Sequence, residues 1–176
     1  MNVTHEELAA IVTTAASEVF TTMLFLEPES HSAYTSPVAN LSNNGVVSLI
    51  GITGPWVGTG SISCTAGMAC RLASALMMSA YEAVDDDVLD AMAELTNMII
   101  GNVKTVLEEK LGPLGLSIPT VIHGRNFSSR TPGKQNWTVV PFQVDGEPVE
   151  IYMCLVPNKD GRRHCLTVAG HELAEV

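Results

Sequence analysis

DDVLDAMAELTNMIIGNVKTVLEEK, residues 86–110, carries the clearest helical period in the chain. At about 100° per residue, Val88, Met92, Leu95, Ile99, Val103 and Val106 fall on one face with i, i+3, i+4, i+7 spacing, and that face is expected to be core. The opposite face gathers Asp90, Glu94, Asn97, Gly101, Lys104 and Glu108 into one row, with Glu94 and Asn97 as i, i+3 neighbours pointing at solvent. That row breaks local preference three times. Asn is a weaker helix former than Gln, Glu or Lys, and Gly costs about 1 kcal/mol relative to Ala in an exposed helix interior. Asp90 and Glu94 are like charges at i, i+4, which destabilises by a few tenths of a kcal/mol. Rules broken together on one exposed face mark a functional surface rather than a merely solvated one. Gly101, one turn past Asn97, removes a side chain where the backbone of a partner would approach.

Asp85, Asp86 and Asp87 cap the start of this helix and meet the positive end of its dipole, and Gly112-Pro113 ends it. Upstream, Thr65 is the expected N-cap of a helix reaching about Ser79, with Ala69, Leu72, Ala73, Leu76 and Met77 as its packing face. Before that, Gly45–Thr53 and Trp56–Cys64 are β-rich runs around the turn signal Gly54-Pro55, so they predict a hairpin. Gly58 and Gly60 share a face of its second strand and would let a helix lie close. The spacing also predicts a first helix to about Leu24, opened by the capping box Thr4/Glu7. Residues 27–44 read as a loop with one short strand near Tyr34–Val38. Downstream, Ser117–Gly124 reads as a strand and Arg125–Asn136 as a polar loop. Trp137–Val144 with Pro148–Val156 reads as a hairpin about Asp145-Gly146, and His164–Val168 as an edge strand. Helices and hairpins in blocks predict an α+β fold, an antiparallel β-sheet with long helices packed on it.

At 176 residues the chain fits one domain over 1–176, long enough to bury a core without staples. Its formal charge of −10, from 9 Lys+Arg against 19 Asp+Glu, repels a phosphate backbone or an anionic membrane, so nucleic acid is excluded as a partner. The opening MNVTHEELAAIV has no Lys or Arg ahead of its apolar residues and has acids among them, which is wrong for a signal peptide. No run approaches the roughly 18 apolar residues of a membrane span. Cys64, Cys70, Cys154 and Cys165 form no C-x-x-C pair and read as free thiols in the cytoplasm.

Other chemistries fare poorly. His164, Cys165 and His171 are good zinc-ligand types at a spacing that matches no metal site, so no metal is expected on this chain. Gly58–Ser63 imitates a phosphate loop but lies inside a strand and lacks a third glycine. No G-x-S-x-G elbow or cysteine–histidine arrangement stands out for nucleophilic catalysis, and the eight methionines sit mostly at core spacing.

Asp90-x-x-x-Glu94-x-x-Asn97, with Pro119 about twenty residues downstream, resembles the active-site signature of the CheC/CheX/FliY family of chemotaxis phosphatases. Glu94-Leu-Thr-Asn-Met-Ile-Ile-Gly-Asn-Val-Lys-Thr105 is most similar to the CheX branch, and the likeness extends over about Gly45 to Val156. The resemblance implies hydrolysis of the aspartyl phosphate on a CheY-type response regulator, with Glu94 and Asn97 catalytic. Asn97 would position the attacking water and Glu94 would dock to the regulator's lysine. Asp90, Gly101 and Lys104 would meet the partner, Asp90 as a rim contact. Mg²⁺ would come with the regulator, leaving this chain without a cofactor of its own. CheC and FliY carry two such helices. Here the first helix offers only Glu18-x-x-Thr21 led by Thr14, and the Thr65 helix offers no E-x-x-N, so one site remains, as in CheX. CheX-type members also imply a homodimer. A non-catalytic adaptor or phosphorylation-state sensor of the same fold is the second reading.

Overall fold

The computed structural model describes residues 3–39, 44–125 and 136–158. The expected strand at His164–Val168, the tail 161–176 with His164, Cys165 and His171, and nearly all of the 125–136 loop lie outside these.

Three helices are built much as the caps predict. Helix α1, His5–Met23, starts on Thr4, whose hydroxyl accepts from the Glu7 N–H. The return half of the capping box is absent, because the Glu7 carboxylate pairs with Lys110 instead. Helix α2, Ala66–Met77, is capped by Thr65, which accepts from Met68 N–H. Helix α3, Asp86–Leu111, starts on Asp85, which accepts from Val88 N–H at 3.0 Å, and stops at Gly112, where φ is +81°.

The strands are β1 Pro28–Ser30, β2 Tyr34–Ser36, β3 Asn44–Thr53, β4 Trp56–Cys64, β5 Gly115–Leu116, β6 Thr120–Arg125, β7 Trp137–Val144 and β8 Glu147–Pro157. They form one antiparallel sheet with β7, β8, β4 and β3 across its width. Each flank carries two short strands end to end. β1 and β2 pair with opposite ends of β7, and β5 and β6 pair with opposite ends of β3. Exchanging β3 with β7, β4 with β8, β1/β2 with β5/β6 and α1 with α3 leaves this pairing unchanged. The molecule therefore has an internal pseudo-two-fold passing between β4 and β8.

Both hairpins fall where their turns predict, the second through Asp145 and Gly146 with φ of +50° and +83°, the backbone a two-residue β-turn demands. Two strand expectations need correction. Among the described residues between 27 and 39 there are two short strands, β1 and β2, rather than one. The expected strand Ser117–Gly124 is realised as β6, which starts only at Thr120, and the two-residue β5 lies ahead of it, separated by Ser117–Pro119. There Ser117 bonds Gly51 twice, its N–H to the Gly51 carbonyl and its hydroxyl accepting from the Gly51 N–H, both at 2.9 Å, while Pro119 has no N–H to add to the ladder.

The main core lies between one sheet face and the helices. Val46, Ile50, Ile62, Val140, Phe142, Ile151 and Met153 meet Val12, Phe20, Leu72, Met92, Leu95 and Ile99 there. A smaller cluster of Val47, Leu49, Trp137, Val139, Tyr152 and Cys154 occupies the other face. Gly60 brings α3 down onto the sheet: a Cβ there would stand 2.7 Å from the Ile100 side chain. Gly58, expected to do the same, instead lets β8 come close, since its Cβ would lie 1.9 Å from the Cys154 carbonyl oxygen.

Candidate functional site

Helix α3 carries the candidate site. Its inner face buries Val88, Ala91, Met92, Leu95, Thr96, Ile99, Ile100, Val103, Leu107 and Leu111, each large apolar member contributing about 1.5–3 kcal/mol. That burial fixes the rotation of the helix and so fixes which residues look outward. Val106 departs from the expected stripe. It is 45% exposed and, with Asn102, borders a groove of about 260 Å³ against Ala10, Ile11, Thr14, Ala15 and Glu18 of α1.

The outward row is as the helical count placed it. Asp90, Glu94 and Asn97 are exposed, Gly101, Lys104 and Glu108 partly so. Neither Glu94 nor Asn97 has a hydrogen-bonding or ionic partner among the described residues. Their neighbour Thr96 turns inward, its hydroxyl donating to the Met92 carbonyl at 2.8 Å. A carboxylate and an amide about 5–6 Å apart at Cβ thus face solvent with every donor and acceptor available to an incoming molecule.

Farther along the row the side chains are committed. The Lys104 ammonium bonds Glu108 at 2.9 Å, and the other Glu108 oxygen accepts from the Leu114 N–H at 2.8 Å. Both bonds hold the Glu108 carboxyl below its usual range, the Lys104 bond first. Lys104 meets a partner only by sharing Glu108 or leaving it. The sequence reading missed this latch, which joins the last turn of α3 to the chain beyond Gly112.

The pseudo-symmetric helix α1 has no counterpart of Asn97. It contains neither Asn nor Gln, and the Thr21 hydroxyl is spent on the carbonyls of Ser17 and Glu18 at 2.8 and 3.2 Å. Asn102, the other amide in α3, has Ile99 three residues before it rather than a carboxylate. No group of His, Cys, Asp and Glu among the described residues is arranged to hold a metal ion. No helix there is long and apolar enough to cross a membrane. Gly58–Ser63 lies within β4, at no strand-to-helix turn.

A family profile described as chemotaxis phosphatase CheX matches residues 46–143, a span that holds the whole outward row of α3. No curated protein sequence matches the chain. Among solved structures, the chemotaxis protein CheX of Desulfovibrio desulfuricans is 27% identical over 85% of this chain and 99% of its own, with a TM-score of 0.76. The CheX–CheY–BeF3–Mg²⁺ complex of Borrelia burgdorferi is 27% identical over 88% and 99%, with a TM-score of 0.74. FliY of Thermotoga maritima shares the fold at a TM-score of 0.62 and 19% identity, over 88% of each chain.

Proposed function

This chain belongs to the chemotaxis phosphatase CheX family, and from that premise we propose that it hydrolyses the aspartyl phosphate of a CheY-type response regulator. What carries the reading is one observation. Glu94 and Asn97 stand exposed, one turn apart, and unpartnered among the described residues, on a helix rotation set by its own core. The B. burgdorferi complex, which pairs a relative with CheY, BeF3 and Mg²⁺, supports a receiver domain as the partner.

The chemistry asks little of this chain. The receiver holds the phosphoryl group and brings the metal that offsets its charge, so the phosphatase needs to supply position. Asn97 enters the receiver's site and its amide holds a water in line with the acyl P–O bond. The water oxygen bonds to phosphorus as that bond breaks, the electron pair returns to the aspartate carboxylate, and the water's protons leave with inorganic phosphate. A neutral amide approaches the phosphoryl oxygens without repelling them. Glu94 pairs with the receiver's lysine and fixes the docking angle. Asp90 lies at the rim. In this reading the protein acts in the cytoplasm and, as the family likeness further supports, as a homodimer, which light scattering on the purified chain tests directly.

To test the reaction, a phosphorylated receiver domain is mixed with the protein or with its Asn97→Ala variant and phosphate release is followed. The wild type is expected to accelerate release and the variant to lose about 10²-fold of that acceleration. Receiver binding with no acceleration by the wild type would instead establish the adaptor reading.

A further inference from the structure

We propose that Gly101 is a specificity-determining position, a side-chain-free step on which a main-chain segment of the phosphorylated receiver rests while Asn97 reaches its phosphoryl group; this rests on the phosphatase reading above.

The fold gives no reason for a glycine at 101. Gly45, Gly58 and Gly60 leave no room for a Cβ, which would come within 2.1, 1.9 and 2.7 Å of other atoms, and Gly54, Gly112 and Gly146 have positive φ. Two helical glycines have room for a Cβ: Gly67, in the first turn of α2, with its nearest atoms at 4.0 Å, and Gly101, in the interior of α3, with nothing within 4 Å. At 101 alanine would fit, and it would favour the helix.

The position explains what the step is for. Gly101 lies one turn beyond Asn97 on the outward row, and Glu94 lies one turn before it. Asparagine is short, so its amide reaches into a pocket only if the walls of that pocket come down almost to the helix backbone. On the Glu94 side a long side chain meets the wall. On the Gly101 side nothing does, and the wall seats on bare backbone. A Cβ there would lift it by about 1.5 Å, the length of one carbon–carbon bond.

The experiment compares wild type, Gly101→Ala, Gly101→Leu and, as a control at an exposed position off the row, Glu109→Ala. Each is measured for thermal unfolding, for affinity to a CheY-type receiver loaded with BeF3⁻ and Mg²⁺, and for phosphate release from the phosphorylated receiver. Gly101→Ala is expected to raise Tm by about 2–4 °C while weakening receiver affinity about five- to tenfold. Gly101→Leu is expected to weaken it further with the fold intact, and Glu109→Ala to leave it unchanged. Affinity and turnover kept within about twofold in Gly101→Leu, or a lowered Tm in Gly101→Ala, overturns the inference. Those outcomes leave wild-type turnover standing. A wild type that neither binds nor dephosphorylates the receiver fails the phosphatase reading itself, and this inference with it.

Discussion

Replacing the Asn97 amide by a carboxylate of the same shape changes the charge without changing the reach. If the amide holds a water against a phosphoryl group, Asn97→Asp should lose at least as much activity as Asn97→Ala, because repulsion is added to the loss of a donor. Asn97 is exposed and has no partner among the described residues, so stability should move by no more than about 0.5 kcal/mol. Phosphate release and a thermal melt on the same samples check both halves. An Asn97→Asp variant as active as wild type would remove the water-positioning role. The outward placing of Asn97 and Gly101 on α3 was legible in the sequence because such a helix position is governed by few local terms, and an Asn and a Gly stand out there against better helix formers. Lys104 was legible only as to its direction. That its ammonium is held by Glu108 depends on the rotamers of both side chains, and the second Glu108 bond, to Leu114, depends on a turn beyond the helix end.

The latch at the end of α3 has a pH signature. The Glu108 carboxyl is held below its ordinary value of 4.5, first by Lys104 and then by the Leu114 N–H. A carboxyl with a depressed folded pKa contributes stability that is present above its unfolded pKa and lost as pH falls through the folded one. Glu108→Gln should therefore lose less stability than wild type between pH 7 and about pH 3.5, read from urea melts at the two pH values. Equal losses in the two proteins would show that the latch does not couple to folding. Glu7, lowered in the same sense by Lys110, works the same acid limb from α1, and the variant-to-wild-type difference isolates Glu108 from it. The caps of all three helices were legible because an N-cap is a contact over three residues. Of each sheet flank the sequence showed one piece, β2 and β6; β1 and β5, of three and two residues, carry too few alternations to show a period.

At the scale of the whole molecule, the register of helix against sheet hangs on Gly60. Its Cβ would meet Ile100, which is fully buried. Gly60→Ala should destabilise by about 1–3 kcal/mol, the ordinary cost of overpacking, measured as a fall in the urea midpoint with the slope unchanged. Paired with Gly101→Ala, it gives two identical substitutions of opposite sign, one on each side of α3.

The sequence by itself determined the three helices and most of their buried faces, Met77 of α2 and Val106 of α3 being exposed against expectation, together with both long hairpins and the outward row of α3. Periodicity, caps and turns act over a few residues, and the residues that act are adjacent in the text. Only the tertiary structure decided that β4 pairs with β8 to join the two halves, that Glu7 leaves its own helix for Lys110, and that Val106 borders a groove instead of the core. Those outcomes turn on which surfaces meet across scores of residues, where side-chain volume and reach choose the neighbour and no local pattern records the choice.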